Sequence, residues 1–166
     1  MILAGPPWQY DNDGITGAAE DRYPTMGIEE LCSKGPRAAE NATLFLWVTN
    51  PMLEVSFRVI QAWGFKYKTM GTWWKKDGRG QGYYLLGQTE HYLLCTRGSH
   101  VPDFTGREKP GSLIEAPARE HSRKPDEIYD RIEYMYPDAK YLEMFARGSP
   151  RPGWTLWGNE VEDEEA

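Results

Sequence analysis

The feature that most constrains the fold is a continuous apolar run at residues 43–48 (TLFLWV) that leads into a helical pattern. A strand that is apolar at every position is typical of a sheet covered on both faces, because neither set of alternating side chains faces water. Pro51 opens the helical pattern, apolar residues then recur at three- and four-residue spacing, and Gly64 ends it. A buried strand followed by such a helix indicates an α/β fold.

The same alternation continues along the chain. Strands are predicted at residues 65–74, 91–96, 141–145 and 155–157, and a helix with proline and acids in its first turn starts at Lys124. Residues 9–23 and 98–119 lack a regular period, and loops of that length are usually functional or disordered. The pattern predicts one α/β domain over residues 1–159, with helices on the faces of its sheet, and an acidic disordered tail over residues 160–166.

The composition predicts a soluble, cytoplasmic protein without a global basic surface. No apolar run is long enough to span a membrane, and no signal-peptide pattern is present. The net charge is −6, but five of the 25 acidic residues lie in the tail, so the body is close to neutral. Basic loops at residues 75–79 and 107–124 are candidates for phosphate contacts, although ordinary surface loops explain this composition equally well.

Neither the cysteines nor the histidines form a recognisable site. Cys32 and Cys95 have no neighbouring cysteine, and Cys95 lies in an apolar strand, where a thiol is usually a core residue. The three histidines lack the spacing of metal ligands, so no metal site is predicted.

A rigid turn is predicted where the first strand ends. Gly5-Pro6-Pro7-Trp8 follows the apolar residues 1–4. The prolines fix the backbone and remove N–H donors, so the carbonyls of the turn can accept hydrogen bonds from another group. Trp8 offers a flat apolar face on which a planar ring can stack. Taken alone, the motif is explained at least as well by an ordinary strand-end turn.

Further motifs follow this turn in an order that points to one family. They are Tyr23-Pro24-Thr25-Met26, Leu46-Trp47-Val48-Thr49-Asn50, Trp73-Trp74-Lys75, Gly87-Gln88-Thr89-Glu90-His91, His121-Ser122-Arg123-Lys124-Pro125-Asp126-Glu127, Leu142-Glu143-Met144-Phe145-Ala146-Arg147 and Gly158-Asn159-Glu160. With them the chain resembles, over nearly its whole length, the MT-A70 family of adenine N6-methyltransferases. The resemblance implies a Rossmann-like α/β methyltransferase fold with a mostly parallel sheet and helices on both faces. It also implies S-adenosylmethionine as the methyl donor.

The resemblance implies a set of cofactor-binding residues. Lys124, at a helix start, suits the carboxylate of the donor. Glu143, at the end of a strand, and Asn159 suit the ribose hydroxyls. The other residues assigned to this site are His121, Ser122, Arg147 and Glu160. The ordinary alternatives are a solvated lysine at position 124 and a surface ion pair between Glu143 and Arg147.

On the substrate side, the resemblance assigns the turn Gly5-Pro6-Pro7-Trp8 to catalysis. Trp8 and Tyr23 are expected to hold an extruded adenine by stacking, because a base must leave a duplex to be modified. Glu90 is expected near the target base or the loop that carries it, and Lys75 near phosphates.

Gly5 is the departure from the family pattern with the largest chemical consequence, since the family motif is Asp-Pro-Pro-Trp. The adenine amine must become more tetrahedral as it attacks, and acceptors held against its N–H groups favour that geometry. Losing one preorganised acceptor typically costs roughly 2.7–4 kcal/mol, so this chain is predicted to bind cofactor but to methylate poorly or not at all.

The predicted function is therefore methylation of adenine N6, with DNA favoured over RNA because the chain is compact. A bacterial or phage-infected cell is the expected setting, and a homodimer or heterodimer is an open alternative. The competing interpretation is a non-catalytic pseudo-methyltransferase or partner subunit that binds nucleic acid. An unrelated hydrolase or dehydrogenase ranks last, because the chain contains neither GxSxG nor GxGxxG.

Overall fold

The computed structural model describes residues 1–10, 25–78, 80–120, 123–158 and 160–161. Its helices are α1 (Ile28–Ser33), α2 (Leu53–Ala62) and α3 (Asp126–Met135), and a 3-10 turn over Asn50–Met52 precedes α2. Its strands are β1 (Ile2–Ala4), β2 (Ala42–Val48), β3 (Lys66–Lys75), β4 (Thr89–Arg97), β5 (Leu113–Ala116), β6 (Tyr141–Met144), β7 (Arg147–Gly148), β8 (Trp154–Trp157) and β9 (Glu160–Val161).

Seven of these strands form one mostly parallel sheet in the order β5-β3-β4-β2-β1-β6-β8. Strand β4 is antiparallel to β2 and β3, whereas the other four neighbouring pairs are parallel. Every residue of β2 is buried, as its continuous apolar run predicts. Strand β1 lies between β2 and β6, so the turn that follows it emerges near the middle of the sheet.

Helices cover both faces of the sheet, which confirms the predicted fold class. Leu31 of α1 and Val59 of α2 pack in a core layer with alternate residues of β1 and β2. Ile128 and Ile132 of α3 pack on the opposite face with Leu3 of β1 and with Phe45 and Trp47 of β2. The two layers explain why β1 and β2 carry no polar face.

The predicted strands and helices are present with small shifts at their ends. Helix α2 follows the turn at Pro51, and Gly64 ends the segment with a φ of +79°, a conformation that glycine adopts readily. Cys95 is buried in β4, and burial raises the pKa of its thiol to about 12, as expected of a core thiol. No helix of the described segments is long and apolar enough to cross a membrane.

One stretch expected to be irregular contains a strand. Strand β5 lies within residues 98–119 and pairs in parallel with β3, from Thr72 beside Leu113 to Lys75 beside Ala116. Only Ile114 and Ala116 of its four residues are buried. An alternation of buried and exposed residues over four positions is too short to be recognised in the sequence. Its position depends on the edge of β3 and on the side chains of α3 above it.

A short strand lies at the start of the predicted tail, while the domain boundary at residue 159 stays a prediction. Strand β9 pairs with β7, with Glu160 beside Arg147 and Val161 beside Gly148. The first two residues of the predicted tail therefore belong to a small two-stranded sheet, and residues 162–166 lie outside the described part of the chain.

Candidate active site

A cleft of about 1070 Å³ opens at the carboxyl ends of β1 and β6. These strands are parallel neighbours, with Ala4 beside Met144, and their chains separate immediately afterwards. Gly5 and Phe145 are the next residues of the two chains, and both line the cleft. Ligands of open α/β sheets bind outside the carboxyl ends of strands, and this cleft has that position.

The turn after β1 forms one wall of the cleft and is held by backbone hydrogen bonds. The Gly5 N–H donates to the Met144 carbonyl at 3.3 Å, and the Trp8 N–H donates to the Pro6 carbonyl at 2.9 Å. The Pro7 carbonyl accepts from the Met26 N–H at 2.8 Å. A carbonyl oxygen has two lone pairs, so the Pro6 carbonyl can accept a second hydrogen bond from a ligand.

Trp8 is more deeply buried than its predicted stacking role requires. The residue is 4% exposed, and its indole N–H donates to the Trp47 carbonyl at 3.1 Å. It belongs to the core layer that contains α1 and α2, while one edge lines the cleft. The indole therefore anchors the turn to β2, and stacking of adenine on Trp8 stays a prediction.

Lys124 faces the turn across the cleft. A Cβ built on Gly5 would lie 2.5 Å from the Lys124 Nζ and 2.7 Å from its Cε. The ammonium therefore occupies the space where a side chain at position 5 would begin. The same Nζ lies 3.4 Å from the Glu143 Oε1, and both side chains are about nine-tenths buried. This geometry excludes the alternative of a solvated lysine.

Glu143 lies on β6 and is oriented by two donors. Its Oε1 accepts a hydrogen bond from the Tyr129 hydroxyl at 2.8 Å, in addition to the contact with Lys124. Burial, followed by the negative charge of Glu143 and this hydrogen bond, raises the pKa of Tyr129 far above its ordinary value. The phenol therefore stays protonated and keeps the carboxylate in one orientation.

Glu90 and Lys75 lie together on another wall of the cleft. The Lys75 Nζ contacts the Glu90 Oε1 at 2.8 Å, and the Trp47 indole N–H donates to the Glu90 Oε2 at 2.6 Å. The Lys75 ammonium also lies 5.4 Å from the centre of the Trp73 ring. The sequence assigned Glu90 and Lys75 to the substrate separately, and the structure places them in one fixed ion pair.

The cleft is more basic than the chain as a whole. Six basic and four acidic side chains line its described walls, whereas the net charge of the chain is −6. The basic side chains belong to Lys75, Arg119, Arg123, Lys124, Arg147 and Arg151. Most of them come from the two basic loops noted in the sequence, and five form ion pairs with carboxylates, so the described lining has an excess of two positive charges (six minus four).

The remaining predicted site residues fall into two groups. Arg147 lines the cleft, and Glu160 lies beside it in the β7–β9 pair. Tyr23, His121, Ser122 and Asn159 lie outside the described residues, so their roles stay predictions.

Several residues that line the cleft are absent from the sequence-based assignment, and Tyr129 and Arg151 are two of them. Tyr129 orients Glu143 from α3, and Arg151 contacts the Asp130 and Glu133 carboxylates of the same helix. Tyr129 lies one helical turn after Pro125, so the spacing of α3 could have identified it. Arg151 opens the segment Arg151-Pro152-Gly153-Trp154, which is part of the resemblance to the family, but its role could not be assigned because its partners on α3 are distant in sequence.

The chain is similar to known methyltransferases along its whole length. The MT-A70 family model matches residues 1–160. The type II methyltransferase M.MunI of Mycoplasma sp is 31% identical over 99% of this chain and 78% of its own length. An N(6)-adenosine-methyltransferase MT-A70-like protein of Arabidopsis thaliana is 32% identical over 97% of this chain. The human N(6)-adenosine-methyltransferase catalytic subunit METTL3 is 28% identical over 98% of it.

The coverage of these relatives differs. The chain spans 78% of the Mycoplasma protein but only 23% of the Arabidopsis protein and 28% of human METTL3. Methyltransferases of this family use S-adenosylmethionine as the methyl donor. The match over residues 1–160, together with a cleft at the end of the Pro-Pro-Trp turn, shows that this chain belongs to the MT-A70 family.

Proposed function

We propose that this chain transfers a methyl group from S-adenosylmethionine to the N6 amine of adenine in DNA, and that Gly5 makes the transfer slow. The observation that carries the proposal is the open cleft that the prolyl turn and the Lys124–Glu143 pair line together. A turn packed inside the protein would have left no room for two ligands.

The residues on the Lys124 side fit the methyl donor. S-adenosylmethionine supplies an electrophilic methyl group on a sulfonium, together with a carboxylate, a ribose and an adenine that need binding partners. Lys124 precedes α3 and can bind a carboxylate with help from the helix N-terminus. Glu143 keeps an acceptor oxygen, Oε2, that can bind ribose hydroxyls while Tyr129 and Lys124 hold Oε1.

The prolyl turn and the wall of the cleft that carries Lys75 and Glu90 suit the substrate. In the proposed mechanism the carbonyls of Gly5 and Pro6 accept from the adenine amine, which concentrates its lone pair toward the methyl group. Tyr23 and the exposed edge of Trp8 flank the base, which has left the duplex. Lys75 contacts the DNA backbone, and Glu90 holds Lys75 in place.

Gly5 limits the rate in this mechanism because only neutral carbonyls contact the amine. A carboxylate at this position would be a stronger, charge-assisted acceptor than a carbonyl. The absence of one such contact typically costs roughly 2.7–4 kcal/mol, which is a rate loss of about 100- to 1000-fold. Cofactor binding is less affected, since Lys124, Tyr129 and Glu143 remain in place.

One observation favours DNA as the substrate, and a second fits any nucleic acid. The Mycoplasma relative is a type II methyltransferase, and the alignment covers most of both proteins. The basic lining of the cleft supplies charge for the phosphates of a nucleic acid although the chain is acidic overall. RNA is the second candidate, because the adenosine methyltransferases match equally well over this chain.

The decisive experiment compares the chain with its Gly5→Asp variant. Calorimetry measures S-adenosylmethionine binding to both proteins, and a labelled methyl group follows transfer to DNA and RNA oligonucleotides that contain adenine. We expect both proteins to bind the donor and the variant to methylate DNA faster. Absence of donor binding in both would refute the proposal.

The alternative function is a pseudo-methyltransferase that binds nucleic acid without turnover. Gly5 favours it, because the acid that the family carries at this position is absent from this chain. Donor binding without transfer by Gly5→Asp on any oligonucleotide would select this alternative.

A further inference from the structure

The loop between β3 and β4 carries four consecutive exposed apolar side chains. Tyr83 is 86% exposed, Tyr84 99%, Leu85 83% and Leu86 59%. Exposing two adjacent tyrosines and two leucines to water is unfavourable, and a contiguous apolar patch of this kind marks an interaction site.

The two backbone segments that lead into and out of this loop lie close together. The Lys75 N–H donates to the Gln88 carbonyl at 2.8 Å and closes the base of the loop. Further out, a Cβ built on Gly80 would lie 2.0 Å from the Gly87 carbonyl oxygen, and one on Gly82 would lie 2.0 Å from the Leu85 carbonyl oxygen. Only glycine permits this approach, and the result is a thin hairpin with an apolar tip.

The base of this hairpin belongs to the rim of the active-site cleft. Lys75, where the loop begins, and Glu90, two residues after it ends, form the ion pair on the cleft wall. Lys76 and Asp77, the next two residues of the loop, are both exposed and carry opposite charges. The apolar tip therefore extends from the rim of the cleft that the proposed substrate enters, and this position, together with rings that can stack on bases, points to a nucleic acid as its partner.

We propose that residues 83–86 form a wedge that enters a nucleic-acid duplex beside the target adenine and fills the gap that the extruded base leaves. The inference rests on the proposed function, since extrusion is needed only if a base is modified. Proteins that open or kink duplexes insert apolar side chains between base steps, and aromatic rings stack on the bases that remain. Tyr84 at the tip is the principal wedge residue.

The test uses a mixed-sequence DNA duplex with 2-aminopurine in place of the adenines of one strand, and the separated strand as reference. The emission of 2-aminopurine rises when the base leaves the stack. We expect the unmodified protein to raise the emission of the duplex, and Tyr84→Ala to abolish most of this rise. Duplex affinity, measured by anisotropy, should fall about tenfold, while affinity for the single strand changes by less than about twofold.

Matched variants separate stacking from folding. Tyr84→Phe keeps the ring and should behave as the unmodified protein does. Because Tyr84 is 99% exposed, its removal breaks no packing, and the melting temperature of Tyr84→Ala should be unchanged.

Several outcomes would contradict the proposal that residues 83–86 act as a wedge. Equal losses on duplex and single strand would show a stacking platform for single strands, and no loss on either would show that the tip does not contact nucleic acid. If sedimentation shows a dimer that the Tyr84→Ala substitution dissociates, and DNA binding is unchanged, the tip binds a second copy of this chain. The proposed function is tested separately, by donor binding and by methylation of single strands, so it can stand if the wedge fails.

Discussion

The side chain of Lys124 occupies the space in which a side chain on Gly5 would begin. The Lys124 Nζ also lies 3.4 Å from the Oε1 of Glu143, which belongs to strand β6. Lys124 therefore contacts both Gly5 and Glu143. A substitution at any one of the three positions alters the electrostatic environment of the other two.

Gly5→Asp is expected to raise the rate of methyl transfer by about 100- to 1000-fold, measured with a labelled donor at saturating substrate. The new Cβ displaces only the flexible end of Lys124, and the new carboxylate gains that ammonium as a partner. Gly5→Ala is the matched control, because it forces the same movement of Lys124 without supplying an acceptor. Equal gains in both variants would contradict the acceptor role.

Lys124→Met is expected to weaken S-adenosylmethionine binding and to destabilise the fold. The methionine keeps most of the apolar stem but leaves Glu143 buried with Tyr129 as its described donor. An uncompensated buried acceptor typically costs about 1–3 kcal/mol, which denaturant unfolding would detect. Lys124→Arg keeps the charge and should restore stability, so a loss of the same size in both variants would show that packing matters more than charge.

Tyr129→Phe is expected to lower donor affinity through the orientation of Glu143. The substitution removes the 2.8 Å hydrogen bond and keeps the ring against Trp154. A hydrogen bond to a charged group contributes about 1.5–3 kcal/mol, so calorimetry should show a clear loss of affinity. Tyr134→Phe, which removes an exposed hydroxyl elsewhere on α3, is the control and should bind the donor normally.

The stability of the fold should fall as the pH drops below about 6.5, in part through His100. Burial, with a smaller contribution from the charge of the N-terminus, lowers the pKa of His100, whose Nδ1 lies 2.8 Å from the Thr43 hydroxyl. The unfolded chain then binds the proton more readily than the folded one, so stability is lost as the pH falls through the unfolded-state pKa.

The check for His100 is denaturant unfolding across this pH range. His100→Gln should have a flatter profile than the unmodified chain, although burial also lowers the pKa of His91 and leaves part of the slope. A profile as steep as that of the unmodified chain would show that His100 does not contribute.

The strands and helices with strong local patterns were predictable from sequence, and those that depend on a neighbour were not. Strand β2 is apolar throughout and α2 has regular spacing, so both follow from local rules. Strand β5 has four residues and exists because β3 offers an edge on which it can pair. The same reason explains β7 and β9, which are two residues each and stabilise one another.

The candidate site divides in the same way. The motifs point to Gly5-Pro6-Pro7-Trp8, Lys124 and Glu143, because each lies where a strand or helix ends. They do not show that Trp8 is mostly buried, that Glu90 pairs with Lys75, or that Tyr129 orients Glu143. These contacts join residues far apart in sequence, and local spacing holds no information about them.

The amino-acid sequence by itself determined the class of fold and the rigid turn after β1, because hydrophobic period and proline chemistry act over a few residues. Its ordered motifs gave the resemblance to the family, and that resemblance assigned the substrate amine to the turn. Only the tertiary structure decided that Lys124 lies against Gly5 and that an acidic chain has a basic cleft. Both depend on the parallel pairing of β1 with β6, which brings residues 5 and 145 to the same edge of the sheet. The direction and order of the strands, set by burial over the whole domain, placed those groups together.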